Sequence, residues 1–476
     1  MGNSALTDPA LARAFAYSGT YRDRPRTLDA VASPQELRAR FCSPTPETGR
    51  NTVDVINDLI AAAEPGLIGN TQNNFFGWVM GGSDISGVAA DWLTSVWGQN
   101  SAIYQTAPSA AIAEEAVSAW LLDLLDLPQQ SSVGFVTGAT MAGFVSLAAA
   151  RTDVLRRMGH NWEETGLQGA PLIRVFLSDD AHISNLAALR YLGFGEANLI
   201  RIASNKQGVM QTGALADAMA ANEGPKIIIG TAGQINSGGF EDFTQLADLA
   251  EAHDAWLHVD GAFGLWARLL PEKAHLTRGL ERADSWSVDG HKWLQVPYDS
   301  GFAIVKNPDA HRRAMDISAS YLNHEPGDGR NPTEYNPELS RRARGFAAWA
   351  VIQSLGRSGI RDMVARHCAA ATLLADCLRD EPGIEILHRV DLNQVTMVFD
   401  LNGDNMTEAV AGLINENGKG FVRTTHWKDK CALRVSIISK DAEQTTGDEF
   451  ANSVAELWRE FRESRPTGIQ ASIRQT

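Results

Sequence analysis

The sequence predicts an α/β protein built on a mostly parallel sheet with helices on both faces. Short apolar runs alternate with helical stretches from about residue 133 to residue 290, the pattern of strand–helix–strand units. Hydrophobic residues make up 44% of the chain and charged residues 21%, the balance of an ordinary globular protein. With 476 residues the chain can bury a large core and form more than one structural unit.

The elements follow in chain order. Residues 1–80 carry Pro9, Pro25, Pro34, Pro44 and Pro46 between short helical patterns and read as an N-terminal arm. The apolar run 110–125, with Glu114 and Glu115 on it, reads as a long helix. Runs 133–137, 173–177, 199–202, 227–231 and 256–260 read as strands, and a further strand ends at Asp289. Stretches 141–151, 183–192 and 243–252 read as helices between them. Residues 318–337 break into a loop holding Pro326, Gly327, Gly329, Pro332 and Pro337, and a loop of that length in a compact domain is usually functional or disordered. Helices over 341–356 and 361–379, then strands over 394–399 and 432–438, predict a smaller α+β domain. The expected division is an arm (1–80), a large domain (81–340) and a small C-terminal domain (341–476).

A formal net charge of -15 argues against nucleic acid and anionic membrane as partners. Cys42, Cys368, Cys377 and Cys431 are too sparse for a disulfide framework and lack metal-ligand spacing, so no metal is expected. With no leader-like N-terminus and no apolar run long enough to span a bilayer, a cytoplasmic location fits best. From 51 to 150 there is no lysine, arginine or histidine. An anion bound by that stretch must be held by backbone N–H groups, hydroxyls and helix dipoles.

Chemistry-bearing residues cluster at the predicted strand ends, where ligands of such sheets sit. After Asp289, Gly290 and His291 lead to Lys292, with Trp293 and Leu294 behind it. A lysine walled by apolar residues loses its proton easily and suits a Schiff-base role. Taken alone, a solvated surface lysine is the commoner case. Gly138-Ala-Thr-Met-Ala-Gly143 follows one strand and opens a helix, so its N–H groups, with Thr137 and Thr140, form either a phosphate cradle or a tight turn. It is neither a dinucleotide fingerprint nor a P-loop, which speaks against a nucleotide-dependent oxidoreductase. His182 either stacks on a flat ligand or caps the following helix. Asp260 ends a buried strand and needs a partner: a protonated ring nitrogen would serve, and the plainer readings are a helix cap or a pair with an arginine such as Arg268. His258 reads as structural. Together, phosphate turn, histidine, aspartate and lysine are the groups that pyridoxal 5'-phosphate requires.

On these residues the sequence resembles the group II pyridoxal-phosphate-dependent amino-acid decarboxylases, the aromatic-L-amino-acid and glutamate decarboxylase-like family, in its bacterial branch. The resemblance covers roughly 75–439 and is most specific at His258-Val-Asp260 with Ala262 and at Asp289-Gly-His-Lys-Trp-Leu294. It implies a fold type I, pyridoxal-phosphate-dependent transferase-like large domain. It further implies that Lys292 carries the cofactor, Asp260 pairs with the pyridine nitrogen, and His182 stacks on the ring. Ala139, Thr140 and His291 would lie on the phosphate side, with Ala262 and Asn236 also against the cofactor. Tyr321 would return a proton to the carbanion, and Arg434 would sit near the substrate carboxylate. The family forms homodimers whose active site is completed by the partner chain, with 75–104 forming part of the pocket. Here that region holds Phe76, Trp78 and Ile103 and no cation, so an aromatic or bulky apolar L-amino acid is expected to lose carbon dioxide. Gly143 and the run Lys440-Asp-Ala-Glu443 depart from the family pattern. An aldehyde synthase, transaminase or aldolase on the same scaffold is the nearest alternative, discriminated by Tyr321. A non-catalytic ligand-binding homologue is a second.

Overall fold

The structure is a computed structural model that describes residues 8–317 and 329–465. Seven strands form the main sheet: β1 (Ser132–Val136), β2 (Arg174–Ser178), β3 (Leu199–Ile202), β4 (Lys226–Thr231), β5 (Trp256–Asp260), β6 (Ser285–Asp289) and β7 (Gly301–Val305). Their spatial order is β1-β7-β6-β5-β4-β2-β3. Only β7 runs against its neighbours; β1 and β2 to β6 share one direction. All their carboxyl ends therefore open on one side, and the predicted site residues lie there.

Successive strand residues feed two different cores, as pleating requires. In β4, Ile228 joins Phe176, Leu257 and Trp286 on one face, while Ile227 and Ile229 join Val175, Leu177 and Trp256 on the other. The helix Ala139–Arg157 covers the second face. Helices Pro108–Leu124, Phe243–Ala252 and the first half of Gly345–Leu378 cover the first.

A separate antiparallel sheet follows: β8 (Ile384–Ile386), β9 (Gln394–Leu401), β10 (Asp404–Asn405), β11 (Arg423–Trp427) and β12 (Lys430–Ser436). Leu374, Met397, Phe399, Leu433 and Trp458 form its core. Ahead of both sheets, helices Pro9–Asp23, Pro34–Phe41 and Thr52–Ala63 are capped by Asp8, Ser33 and Asn51, with Glu36 closing a capping box on Ser33. No described helix is long and apolar enough to cross a membrane.

The structure adds strands that the sequence expectation lacked. Strand β7 was not anticipated, and it inserts antiparallel between β1 and β6. Strand β11 is largely exposed, so its residues carry no buried-strand signal. The two helices expected over 341–379 are present: Gly345–Leu378 is broken into two at Gly356, whose φ of 61° and ψ of 174° suit glycine. Within the expected long loop, residues 329–337 are anchored. Arg330 donates from its backbone N to Glu115 Oε1 (2.8 Å) and from its guanidinium to Val133 O (2.7 Å).

The acid-only stretch 51–150 finds its cation elsewhere in the chain. Glu114 and Arg341 form a fully buried pair at 2.6 Å, and Arg341 also donates to Ser101 O and Phe135 O. Arg341→Met leaves the Glu114 carboxylate buried without its cation and should cost about 3–5 kcal/mol of stability. Chemical denaturation checks this, and the double variant with Glu114→Gln should recover most of the loss.

Candidate active site

A cavity of about 310 Å³ opens at the carboxyl ends of β1, β2, β4, β5 and β6. Ala139, Thr140, His182, Asp260, Ala262, His291 and Lys292 all line it, although they come from four separate stretches of chain.

The first wall is the turn from β1 into the helix Ala139–Arg157. A Cβ on Gly138 would sit 2.9 Å from His291 Cε1 and 3.1 Å from Asp289 Oδ1, so only glycine lets this turn approach the β6 end so closely. The helix then presents its N-terminal N–H groups to the cavity.

Lys292 stands on a rigid base. Its Nζ lies 2.9 Å from Asp289 Oδ2 and 5.7 Å from the centre of the Phe263 ring. Trp293 behind it is fully buried and donates from Nε1 to His367 Nδ1 at 2.9 Å. Gln295, held at φ 62°, accepts from Gly82 N (2.5 Å) and donates to Ile438 O (2.8 Å). A Cβ on Gly81 would meet His291 O at 2.1 Å, so the 79–84 segment packs directly on the lysine's backbone. Lys440, from the run that departs from the family pattern, forms an ion pair with buried Asp84 and ties this base to the C-terminal sheet.

His182 takes the capping role considered for it and also lines the cavity. It caps the helix Ile183–Tyr191, with Nδ1 2.7 Å from Ser184 Oγ and accepting from Ser184 N, and its ring lines the cavity. Burial pushes its pKa down; Lys292 and Arg434 add to this, while Asp260 and Asp289 oppose it. A neutral imidazole is therefore the dominant form near pH 7. His291 is also shifted down by burial; it stacks on Tyr298 at 4.3 Å and accepts from Ser300 N. His258 is a buried residue of β5, bonded to Ser285 Oγ, with burial pushing it down to about 4.

Several residues sit away from the cavity wall. Asn236 points to the second sheet: its Oδ1 accepts from Arg434 Nη1 (3.3 Å) and Thr425 Oγ1 (3.4 Å). Gln234 and Ile235 of the same turn line the cavity in its place, because the Gln234 amide folds back to accept from Asn236 N and Ser237 N. Burial pushes Arg434 down to about 10. Phe76 is packed on Phe450 in the C-terminal core, Trp78 is 44% exposed against Phe421, and Ile103 opens the turn before the helix Pro108–Leu124; none lines the cavity of its own chain. Tyr321 lies outside the described residues. The residues that sequence reasoning missed are Asp180, Asn185, Gln234 and the carboxylate of Asp289. Asp180 and Asn185 flank His182 in sequence, and that proximity was the available signal.

Glu241 lies just behind the wall, its backbone N donating to Thr231 O. Its Oε2 accepts from Met210 N, its Oε1 has no partner, and burial raises its pKa to about 8. A raised carboxylate pKa means that the unfolded chain ionises first. The folded state thus loses stability as pH rises from about 4.5 to about 8. Glu241→Gln removes this loss. Denaturant titrations at pH 5 and pH 8 check this: the variant should match wild type near pH 5 and exceed it by a few kcal/mol at pH 8.

Asp260 decides what the cavity can hold. Its oxygens accept from Asn185 Nδ2 (2.7 Å) and Ala262 N (3.2 Å), and the residue is 6% exposed. The arginine considered for it, Arg268, is instead engaged by Asp126 and Glu281. No described cation pairs with Asp260, so a protonated ring nitrogen is the partner its surroundings call for. With Lys292 and a helix N-terminus on the same cavity, the donor set fits a phosphorylated pyridine aldehyde. The fold and site thus define a pyridoxal-phosphate enzyme.

Comparison with known proteins makes the class specific. Residues 34–402 match the family model described as the pyridoxal-dependent decarboxylase conserved domain, and the chain belongs to that family. It is 28% identical to the aromatic-L-amino-acid decarboxylase of Cavia porcellus, covering 90% of this chain and 91% of that one. It is 26% identical to tryptophan decarboxylase 1 of Oryza sativa subsp. japonica, covering 86% and 84%. The solved structure of Oryza sativa TDC with PLP and tryptamine shares the fold at TM-score 0.88 and 21% identity, covering 97% of this chain and all of that one. The chain is a pyridoxal-phosphate-dependent carboxy-lyase acting on an amino acid.

Proposed function

We propose that this decarboxylase acts on an aromatic L-amino acid as a cytoplasmic homodimer. Curated relatives over most of its length are named for aromatic or tryptophan substrates, and this supports the substrate class most directly. The apolar side chains Phe75, Trp78 and Phe421, stacked in one group, agree with it. In this reading the cavity belongs to the large domain (81–340), and Arg434 reaches toward it from the small one (341–476).

The cofactor supplies an electron sink for the charge left when carbon dioxide departs. The chain's residues hold and orient. Asp260 keeps a proton on the ring nitrogen. Lys292 would hold the cofactor, and its free ammonium has Asp289 as counter-ion. His182, its Nδ1 held by Ser184, keeps one ring face dry, while Ala139, Thr140 and His291 hold the phosphate side. Arg434 fixes the substrate carboxylate, and Tyr321 returns the proton. Trp92, Leu93, Val96 and Trp97 on the helix Ile85–Trp97 are exposed, an apolar face that supports a dimer completing the site. All four cysteines are free, in keeping with a reducing compartment.

Carbon dioxide release from tryptophan, tyrosine, phenylalanine, glutamate and aspartate tests the reading. An aromatic preference with amine as product is expected. Preference for the acidic pair contradicts the substrate class; aldehyde and peroxide as main products contradict the reaction.

A further inference from the structure

The helix N-terminus that faces the cavity already carries an anion from its own chain. Ala139 N donates to Asp289 Oδ1 at 2.5 Å. The other carboxylate oxygen lies 2.9 Å from Lys292 Nζ, and His291 Nε2 is 3.4 Å from Oδ1. The side chain is 4% exposed, and its backbone is fixed as the last residue of β6, paired with Gly301 of β7. Asp289 therefore contacts three groups assigned to the cofactor: the cradle N–H, the phosphate-side imidazole and the carrier lysine.

A phosphate brought to this end of the cavity meets a carboxylate there already. The two compete for the Ala139 N–H, and like charges at such range repel strongly away from bulk water. No arginine, and no lysine other than Lys292, is among the described residues lining the cavity, so no second cation offsets the repulsion. Once Lys292 is bonded to the cofactor, Asp289 also loses a free ammonium partner. We infer that Asp289 is a resident counter-anion of the cradle. It orders Ala139 and Lys292 before the cofactor arrives and weakens the hold on the phosphate afterwards. The inference rests on the pyridoxal-phosphate reading of the site.

Asp289→Asn removes the charge and keeps an acceptor oxygen for Ala139 N. Dissociation constants of pyridoxal phosphate and of pyridoxal, which lacks the phosphate, are read by tryptophan fluorescence quenching on cofactor-free wild type and variant. Pyridoxal phosphate should bind the variant about tenfold more tightly, with pyridoxal changed by less than about twofold. Inorganic phosphate should raise the melting temperature of the variant more than that of wild type. Asp289→Ser, which also removes the charge, should repeat the result and stands in if the asparagine variant misfolds. Unchanged or weaker pyridoxal phosphate binding overturns the inference. Equal changes for both ligands also overturn it, since they report only the contact with Lys292. Absence of saturable pyridoxal phosphate binding to either protein removes the cofactor reading itself, and the inference with it.

Discussion

Lys292→Ala should lower kcat by about 10⁴-fold or more, equivalent to roughly 5 kcal/mol of lost transition-state stabilisation. The group lost is the nucleophile that carries the cofactor, and no other described lysine lines the cavity. The fold should survive, because the base under the lysine is made by Trp293, Gln295 and Gly81, not by the ammonium itself. Lys292→Arg separates charge from chemistry. Arginine keeps a cation beside Asp289 but stays protonated and cannot take over the nucleophile's role. Both variants should fail equally in steady-state assays, and a substantially active arginine variant would make the lysine an electrostatic residue only.

Asp260→Asn should lower kcat by about 10³-fold, or about 4 kcal/mol, with a smaller loss in cofactor affinity. The amide still accepts a hydrogen bond from Asn185 or Ala262, so the local structure has reason to persist. What disappears is the negative charge that favours a protonated ring nitrogen. Asp260→Glu restores the charge at a shifted position and should recover part of the rate. Kinetics and fluorescence titration of both variants separate the charge from the packing. Equal damage in both would assign Asp260 to structure.

Much of this site was legible in the chain because its residues end strands. Asp260 and Lys292 follow short apolar runs that could be recognised without alignment, and parallel strands deliver their carboxyl ends to one side. The strand runs themselves were clear, with β4 and β5 placed almost to the residue. Strand β7 was not read from the sequence: Gly301–Val305 is a short buried run like those of β1, β5 and β6, and nothing in its composition marks its antiparallel direction. Strand β11 was missed because it is polar and exposed. Asn236 and Gln234 lie two residues apart in one turn. Which of them faces the cavity depends on the Gln234 amide capping that turn, and composition does not carry that information. Asp289 was read only as the end of a strand, since its carboxylate meets Ala139 across 150 residues of sequence.

Borohydride reduction of the pyridoxal-phosphate-loaded protein, followed by peptide mapping, tests the central claim most directly, because it fixes the cofactor to the lysine that carries it. The label should fall on the peptide containing Lys292. A label on any other lysine, or none, would contradict the assignment of this site.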